Sequence, residues 1–345
     1  MTGKQLKARK TYITGPESRL PNKLPGVGET IFSTMNKLAA ESGALNLAQG
    51  FPDFSPPDKL LNKAFEYMQK GFNQYAPMPG IKSLRQKISS KVKKYYNADY
   101  DWDNEILVTP GATHAIYTSI SAIVKEAEEV IILEPAYDIY APAVLLNGGI
   151  PKYVPLTYPD YEIDWIEVKR NISFHTKMII INNPHNPTGR LLKEKDFKEL
   201  EKIARNYDIF IMSDEVYEHI VFDENKFISL SSLTSIKDRT ITISSFSKTY
   251  NITGCKMGSV LGSESIMNEI RKVYQFNMFS AATPFQHALV DCIDDDEWIN
   301  DLKSIYTEKR NRFMKSLRAS RFKILNCDAS FFICLDYSDI SKKGD

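Results

Sequence analysis

Short apolar runs, each closed by a loop and followed by a helical pattern, recur across the first 250 residues. That alternation is what most constrains the fold. The runs are EILVT (105–109), VIILEP (130–135), MIIINNP (178–184), IFIMSDE (209–215) and TITISS (240–245). They read as continuous rather than half-polar, so both faces of each strand are expected to be buried. Helical patterns lie over 58–71 and 80–97, from about 111, from about 137, and over 193–207. Strands alternating with helices predict an α/β fold with a mostly parallel central sheet flanked by helices.

The flanks differ. TIFSTMNKLAAESG (30–43) reads as a helix capped by Thr30 and stopped by Gly43, and LNLAQG (45–50) as a short strand. After Phe279 the parallel pattern stops. A long charged amphipathic helix is expected over 296–318, then an antiparallel pair from KILNC and FFICLDY (323–337). The expected organisation is an N-terminal arm (1–29), a small-domain segment (30–49), a large domain (50–285) and the rest of a smaller α+β domain (286–345).

Composition narrows the function classes. The 345 residues are 43% apolar and 25% charged with a net charge of +1. That balance argues against a nucleic-acid or anionic-membrane partner. No apolar run approaches the roughly 18 residues of a membrane span. The polar, basic start has no apolar signal region, which predicts a cytoplasmic protein. Cys255, Cys292, Cys327 and Cys334 form no C-x-x-C pair and match no histidine spacing. They are expected to be buried reduced thiols, with no metal site.

In open α/β sheets ligands bind beyond the carboxyl ends of the strands. Four such ends carry unusual residues. Gly111-Ala112-Thr113 opens a helix and leaves backbone N–H groups for an anion. INNPHNPTG places Asn183 and Asn186 before prolines. Asp214 closes an apolar run, with Tyr217 three residues on, and a carboxylate there requires a cation or a capping role. TITISSFSKTYNITGCKMG (240–258) surrounds Lys248 with small polar residues and adds Ser245 and Lys256. Each feature alone reads as an ordinary turn, cap or surface lysine. Together they supply what a phosphorylated pyridine aldehyde needs. The phosphate needs an anion cradle, the ring nitrogen a carboxylate, the ring hydroxyl a phenol and an amide, and the aldehyde a lysine.

With these motifs in place, the chain resembles the fold-type I pyridoxal-phosphate aminotransferases. The branch is that of the kynurenine aminotransferases (glutamine transaminase K) and the bacterial methionine aminotransferases. The resemblance rests on AQGFPDF (48–54), NQYAPMPG (73–80), VTPGATHA (108–115), EPAYDIYAP (134–142), NNPHNPTG (182–189), SDEVYEH (213–219) and SSFSKTYNITGCKMG (244–258), in family order. It implies that Lys248 holds pyridoxal 5'-phosphate covalently and shuttles a proton. Asp214 would meet the ring nitrogen, and Tyr217 and Asn186 the ring oxygen. Tyr137 would stack on the ring. Gly111, Ala112, Thr113, Ser245 and Lys256 would hold the phosphate. Gly50 and Asn186 would border the substrate carboxylate. Tyr75 would reach the phosphate of a second subunit, making a homodimer with shared sites. Substrates would be an amino acid, sulfur-containing, aromatic or glutamine-like, and a 2-oxo acid, in a ping-pong exchange.

Two departures from the family pattern are visible. Cys255 stands where an aromatic is usual. No arginine follows Arg321, so the family's carboxylate-clamping arginine segment is absent from these residues. A truncated or weakly binding variant is the expectation on that point. Other readings of the same residues are a C–S β-lyase, a non-catalytic cofactor-binding module, and a serine acyl hydrolase built on Ser245-Phe246-Ser247-Lys248. The last lacks its S-D-N and K-T-G companions.

Overall fold

A computed structural model describes residues 22–47, 50 and 52–342. The chain divides into two compact units at the junction between residues 48 and 49. In the first, α1 (Ile31–Ser42) is capped by Thr30, whose Oγ1 accepts from the Ser33 N–H at 3.2 Å. It ends on Gly43, at φ 64°, as expected of a left-handed stop. The strand expected over 45–50 does not form at residues 45–47 or 50, and residues 48 and 49 lie outside the described residues. Among the described residues no segment pairs with 45–47 or 50, and a lone extended segment leaves its N–H and C=O groups without a ladder. The arm expected over 1–29 lies outside the described residues as far as residue 21.

The second unit is built on a seven-stranded sheet in the order β1-β7-β6-β5-β4-β2-β3. The strands are β1 (Ile106–Thr109), β2 (Glu129–Glu134), β3 (Ile150–Pro155), β4 (Thr176–Asn182), β5 (Phe210–Asp214), β6 (Thr240–Ser244) and β7 (Gly258–Leu261). From β3 through β6 all pairings are parallel, while β7 runs antiparallel to both β6 and β1. The helices, in chain order, are α2 (Asp58–Gln69), α3 (Lys82–Tyr96), α4 (Ala112–Ile123), α5 (Tyr140–Leu146), α6 (Trp165–Asn171), α7 (Glu194–Tyr207), α8 (Phe246–Thr249), α9 (Glu264–Asn277), α10 (Thr283–Val290) and α11 (Asp296–Leu317).

The period of two along each strand explains the continuous apolar runs. Ile180, Met212 and Ile241 pack on one side with Ile116 and Ile120 of α4 and Ile270 of α9. Ile179, Ile181 and Ile211 pack on the other with Phe197, Leu200 and Ile203 of α7. Helices cover both faces, so neither face can be polar.

Several elements were not foreseen. β3 carries Pro151 and Pro155 and sits at the sheet's rim, where proline is tolerated because no outer neighbour needs its N–H. β7 has four residues and opens on glycine, too short to show a period. α5 starts at Tyr140 rather than near 137. Pro142 is compatible only with a helix's first turn, which fixes the start close before it. The expected pair over 323–337 is reduced to β8 (Lys323–Ile324) and β9 (Leu335–Asp336). Beyond the Leu325 N–H donating to the Cys334 carbonyl at 3.1 Å, the chain between them bonds elsewhere: the Asp328 and Ala329 N–H groups donate to the Gly189 carbonyl, and Ser330 N–H to that of Ile220, all at 2.8 Å. All four cysteines are free, but only Cys292 is buried; the other three are half-buried. Among the described residues no helix is long and apolar enough to cross a membrane.

Candidate active site

The site forms where β4, β5 and β6 end side by side. The register aligns Asn182 with Asp214 and Asp214 with Ile243. Asp214 therefore continues the Met212 face, at the rim where the apolar packing stops. It is 2% exposed. Its Oδ2 accepts from the Tyr140 hydroxyl at 2.7 Å and its Oδ1 from the Val216 N–H at 3.3 Å. Burial pushes its pKa up to about 6, against the two hydrogen bonds and the charge of Lys248, which lower it.

Asn182, which carries no expected role, ties two strand ends together. Its Nδ2 donates to the Asp214 carbonyl at 2.9 Å, and its Oδ1 accepts from the Asn186 N–H at 2.7 Å. The turn holding Asn186 is thereby fixed to the strand end holding Asp214.

Because β7 runs antiparallel, the chain leaves β6 at the site and returns to it. Ser244 pairs with Ser259 and Thr109 with Gly258. One excursion, 245–257, thus supplies Ser245, Lys248 and Lys256. Lys248 lies on the single-turn α8, half-buried, with its Nζ 5.7 Å from the ring centre of Tyr217 and 5.1 Å from that of Phe331. It makes no hydrogen bond or ion pair among the described residues. Burial lowers its pKa, the Asp214 charge raises it, and Lys256 lowers it further. The amine is shifted toward its neutral, nucleophilic form.

The N-terminus of α4 meets this excursion closely. Its cap, Gly111, has φ 81° and offers no side-chain oxygen to the first turn. A Cβ on Gly111 would lie 3.3 Å from Lys256 Cε and 3.6 Å from its Nζ. A Cβ on Gly258 would lie 2.9 Å from the Ser244 carbonyl oxygen and 3.1 Å from the Ala112 nitrogen. Free N–H groups at a helix start, a glycine cradle and a nearby ammonium are the chemistry that could hold a dianion. Ser245 is buried, and its hydroxyl has no partner among the described residues.

Around these groups stand aromatic rings. Tyr137 lies edge-on to Tyr140, with ring centres 5.8 Å apart, and its hydroxyl is 3.5 Å from Thr113 Oγ1. Tyr217 is buried and meets Phe331 edge-on at 5.1 Å; Phe331 stacks on Tyr306 at 5.7 Å. Gly50 lies against this wall, since a Cβ there would be 2.6 Å from Phe331 and 2.8 Å from Phe332. Tyr75 is not brought to these residues. It is 84% exposed, with Phe279 edge-on at 5.6 Å.

Tyr140, Asn182 and Phe331 were missed from the sequence. Tyr140 opens α5 three residues after Tyr137, and nothing in the local sequence marks its hydroxyl as a partner of Asp214. The pattern FFICLDY places Phe331 in a strand. Its position depends on the 328–332 segment being bonded to Gly189, which no local pattern announces. Gly189 has φ 70°, and a Cβ there would sit 2.8 Å from both the Ala329 oxygen and Cys327 Sγ. Gly189→Ala is expected to cost about 2 kcal/mol or more in urea denaturation. An unchanged midpoint would show that this anchor contributes little.

The aminotransferase class I and II family model matches residues 42–343. Methionine aminotransferase of Escherichia coli is 41% identical over 325 residues, covering 94% of this chain and 84% of its own length. Rat kynurenine–oxoglutarate transaminase 1 is 32% identical over 343 residues, covering 93% and 81%. A solved Escherichia coli structure with an identified methionine aminotransferase function superposes with a TM-score of 0.91 at 41% identity, covering 94% of this chain and 86% of that one. The structure of N-succinyldiaminopimelate aminotransferase from Mycobacterium tuberculosis gives 0.90 at 34% identity, covering 92% and 84%.

Proposed function

The chain belongs to the aminotransferase class I and II family, pyridoxal 5'-phosphate-dependent enzymes, and we propose that it moves the amino group of a sulfur-containing or aromatic amino acid to a 2-oxo acid. The residues fit the cofactor. An N-terminal helix cradle that side chains would fill, a buried carboxylate and an amine with no partner match a phosphate, a ring nitrogen and an aldehyde. When bound, the cofactor supplies an electron-accepting ring and a reactive carbonyl.

The residues of the chain do the rest. Lys248 Nζ would be the amine that holds the cofactor's carbonyl carbon, with loss of water, and, once freed, the base for the proton on the substrate Cα. Its lowered pKa suits it to that base role. Asp214, ionised, stabilises positive charge on the ring nitrogen. Tyr217 and Asn186 would hold the ring oxygen, and Tyr137 would cover one ring face. Gly111, Ala112 and Thr113, with Ser245 and Lys256, hold the phosphate. Gly50 and Asn186 border the substrate carboxylate.

The observation that carries the substrate reading is the Phe331 ring 5.1 Å from Lys248 Nζ, backed by Tyr306 and Phe332. An apolar wall beside the reacting amine favours a thioether or aromatic side chain over a carboxylate, which would lose its hydration there. The named activities of the Escherichia coli and rat relatives agree with that chemistry. The test is a half-reaction. Methionine or phenylalanine added to cofactor-loaded protein is expected to shift the visible spectrum to the pyridoxamine form, with aspartate slower by at least about tenfold. Faster conversion by aspartate would overturn the reading.

The working unit in this reading is a cytoplasmic homodimer. Tyr75 and Phe276, 84% and 90% exposed, lie apart from the site, and Leu61, Phe65 and Met68 make an exposed apolar stripe on α2. An apolar surface of that kind marks an interaction face. In this reading a second copy covers it and receives Tyr75.

A further inference from the structure

We propose that Tyr140 is the positioning residue for Asp214: its hydroxyl holds the carboxylate ionised and fixed in one orientation, so that cofactor binding depends on a phenol that never touches the cofactor. The inference rests on the reading of Asp214 as the partner of the ring nitrogen.

Asp214 is 2% exposed, so its charge must be balanced within the protein. Its two protein donors are unequal: the Tyr140 hydroxyl at 2.7 Å and the Val216 N–H at 3.3 Å. The second is at the long end for a hydrogen bond. The titratable groups facing Asp214 are Tyr140 from α5, Tyr137 before it, Tyr217 after β5, and Lys248 from α8. Among these, only Tyr140 donates a hydrogen bond to the carboxylate, and Lys248 is the only cation. Lys248 makes no ion pair with Asp214 and is already assigned to the carbonyl.

Tyr140 itself is suited to donating and nothing else. It is 2% exposed, and burial together with the Asp214 charge raises its pKa well above the usual phenol value. It therefore stays protonated throughout the working pH range. Its ring is fixed by Tyr137, edge-on with ring centres 5.8 Å apart, and by the sheet-side core. The Tyr137 ring that would cover the cofactor and the hydroxyl that steadies Asp214 are thus held by one short segment.

Removing the hydroxyl should raise the proton affinity of Asp214. A protonated Asp214 cannot balance a charged ring nitrogen, so cofactor affinity should fail at a higher pH than in the wild type. The test is Tyr140→Phe, a substitution that keeps the ring and its packing. Cofactor-free protein is titrated with pyridoxal 5'-phosphate from pH 5.5 to 8.5, with tryptophan fluorescence as the readout, and thermal stability is recorded alongside. The acid-side loss of affinity is expected to move to higher pH in Tyr140→Phe. At pH 6.5 affinity should be about tenfold weaker, the size expected for one hydrogen bond to a charged group. In an Asp214→Asn background the same change should have little further effect, since the two residues act as one unit.

A parallel loss of affinity at every pH together with lowered stability would show a packing role and overturn the proposal. So would a wild-type pH profile in Tyr140→Phe, or full additivity with Asp214→Asn. Wild-type protein that fails to bind the cofactor at any pH would instead sink the underlying reading of the site.

Discussion

Lys248→Ala is expected to lower turnover by at least about 10⁴-fold, because in the proposed mechanism it removes both the group that binds the carbonyl and the base that takes the Cα proton. Borohydride should fix no adduct to the variant. Pyridoxal 5'-phosphate should still bind non-covalently, since Asp214, the glycine cradle and Lys256 are untouched. The mass of the reduced protein, measured with and without cofactor, reads this directly. A retained adduct on another lysine, or turnover within tenfold of wild type, would remove Lys248 from the reaction. Lys256 offers a graded companion. Its charge contributes to the lowered pKa of Lys248, after burial. Lys256→Met should therefore keep the adduct while moving the acid-side limb of the rate profile, where Lys248 must lose its proton to act as a base, upward in pH. It should also weaken the cofactor's hold, through the phosphate contact proposed for Lys256.

Asp214→Asn is expected to lower kcat/KM by on the order of 10³-fold, the scale of losing one preorganised charge at a reacting centre. Its effect on stability should run the other way. The folded pKa of Asp214 is about 6, above its ordinary 3.8, because burial disfavours the charge. A carboxyl raised in this way contributes most below the unfolded value. That contribution is lost as pH rises from about 4 through 6. Above pH 6 the ionised group in the cofactor-free protein is a cost, on the order of 3 kcal/mol for a shift of this size. Cofactor-free Asp214→Asn should thus be at least as stable as wild type at pH 7.5, and the difference should vanish near pH 4. Differential scanning measurements at the two pH values decide it. A lower melting temperature at pH 7.5 would mean that the carboxylate is a structural asset rather than a strained functional group.

Much of this was legible in the sequence because it rests on local chemistry. The end of β5 announces Asp214 by placing a carboxylate after IFIMS, and Lys248 follows β6 within four residues. Helix α1 kept the cap and stop read from Thr30 and Gly43. What was not legible depends on partners distant in the chain. Gly258 looks like any loop glycine until β7 is known to lie between β6 and β1, against Gly111 and Ala112. Phe331 becomes part of the site only because Asp328 and Ala329 bond the Gly189 carbonyl, some 140 positions earlier. Tyr140 reads as helix core until its hydroxyl is seen on Asp214. In each case an expectation from short-range pattern gave way to a long-range hydrogen bond or packing contact.

The rim strand β3 has a consequence for how these molecules can meet. Pro151 and Pro155 lack the amide hydrogens that an incoming chain would need, and Lys152 stands between them. At the opposite rim the Val108 N–H is already engaged by the Pro79 carbonyl at 3.0 Å. Both borders therefore resist the strand-by-strand recruitment that leads to fibrils. In the proposed dimer, contact between copies is thereby left to side-chain surfaces, which can be tuned one residue at a time and can come apart again.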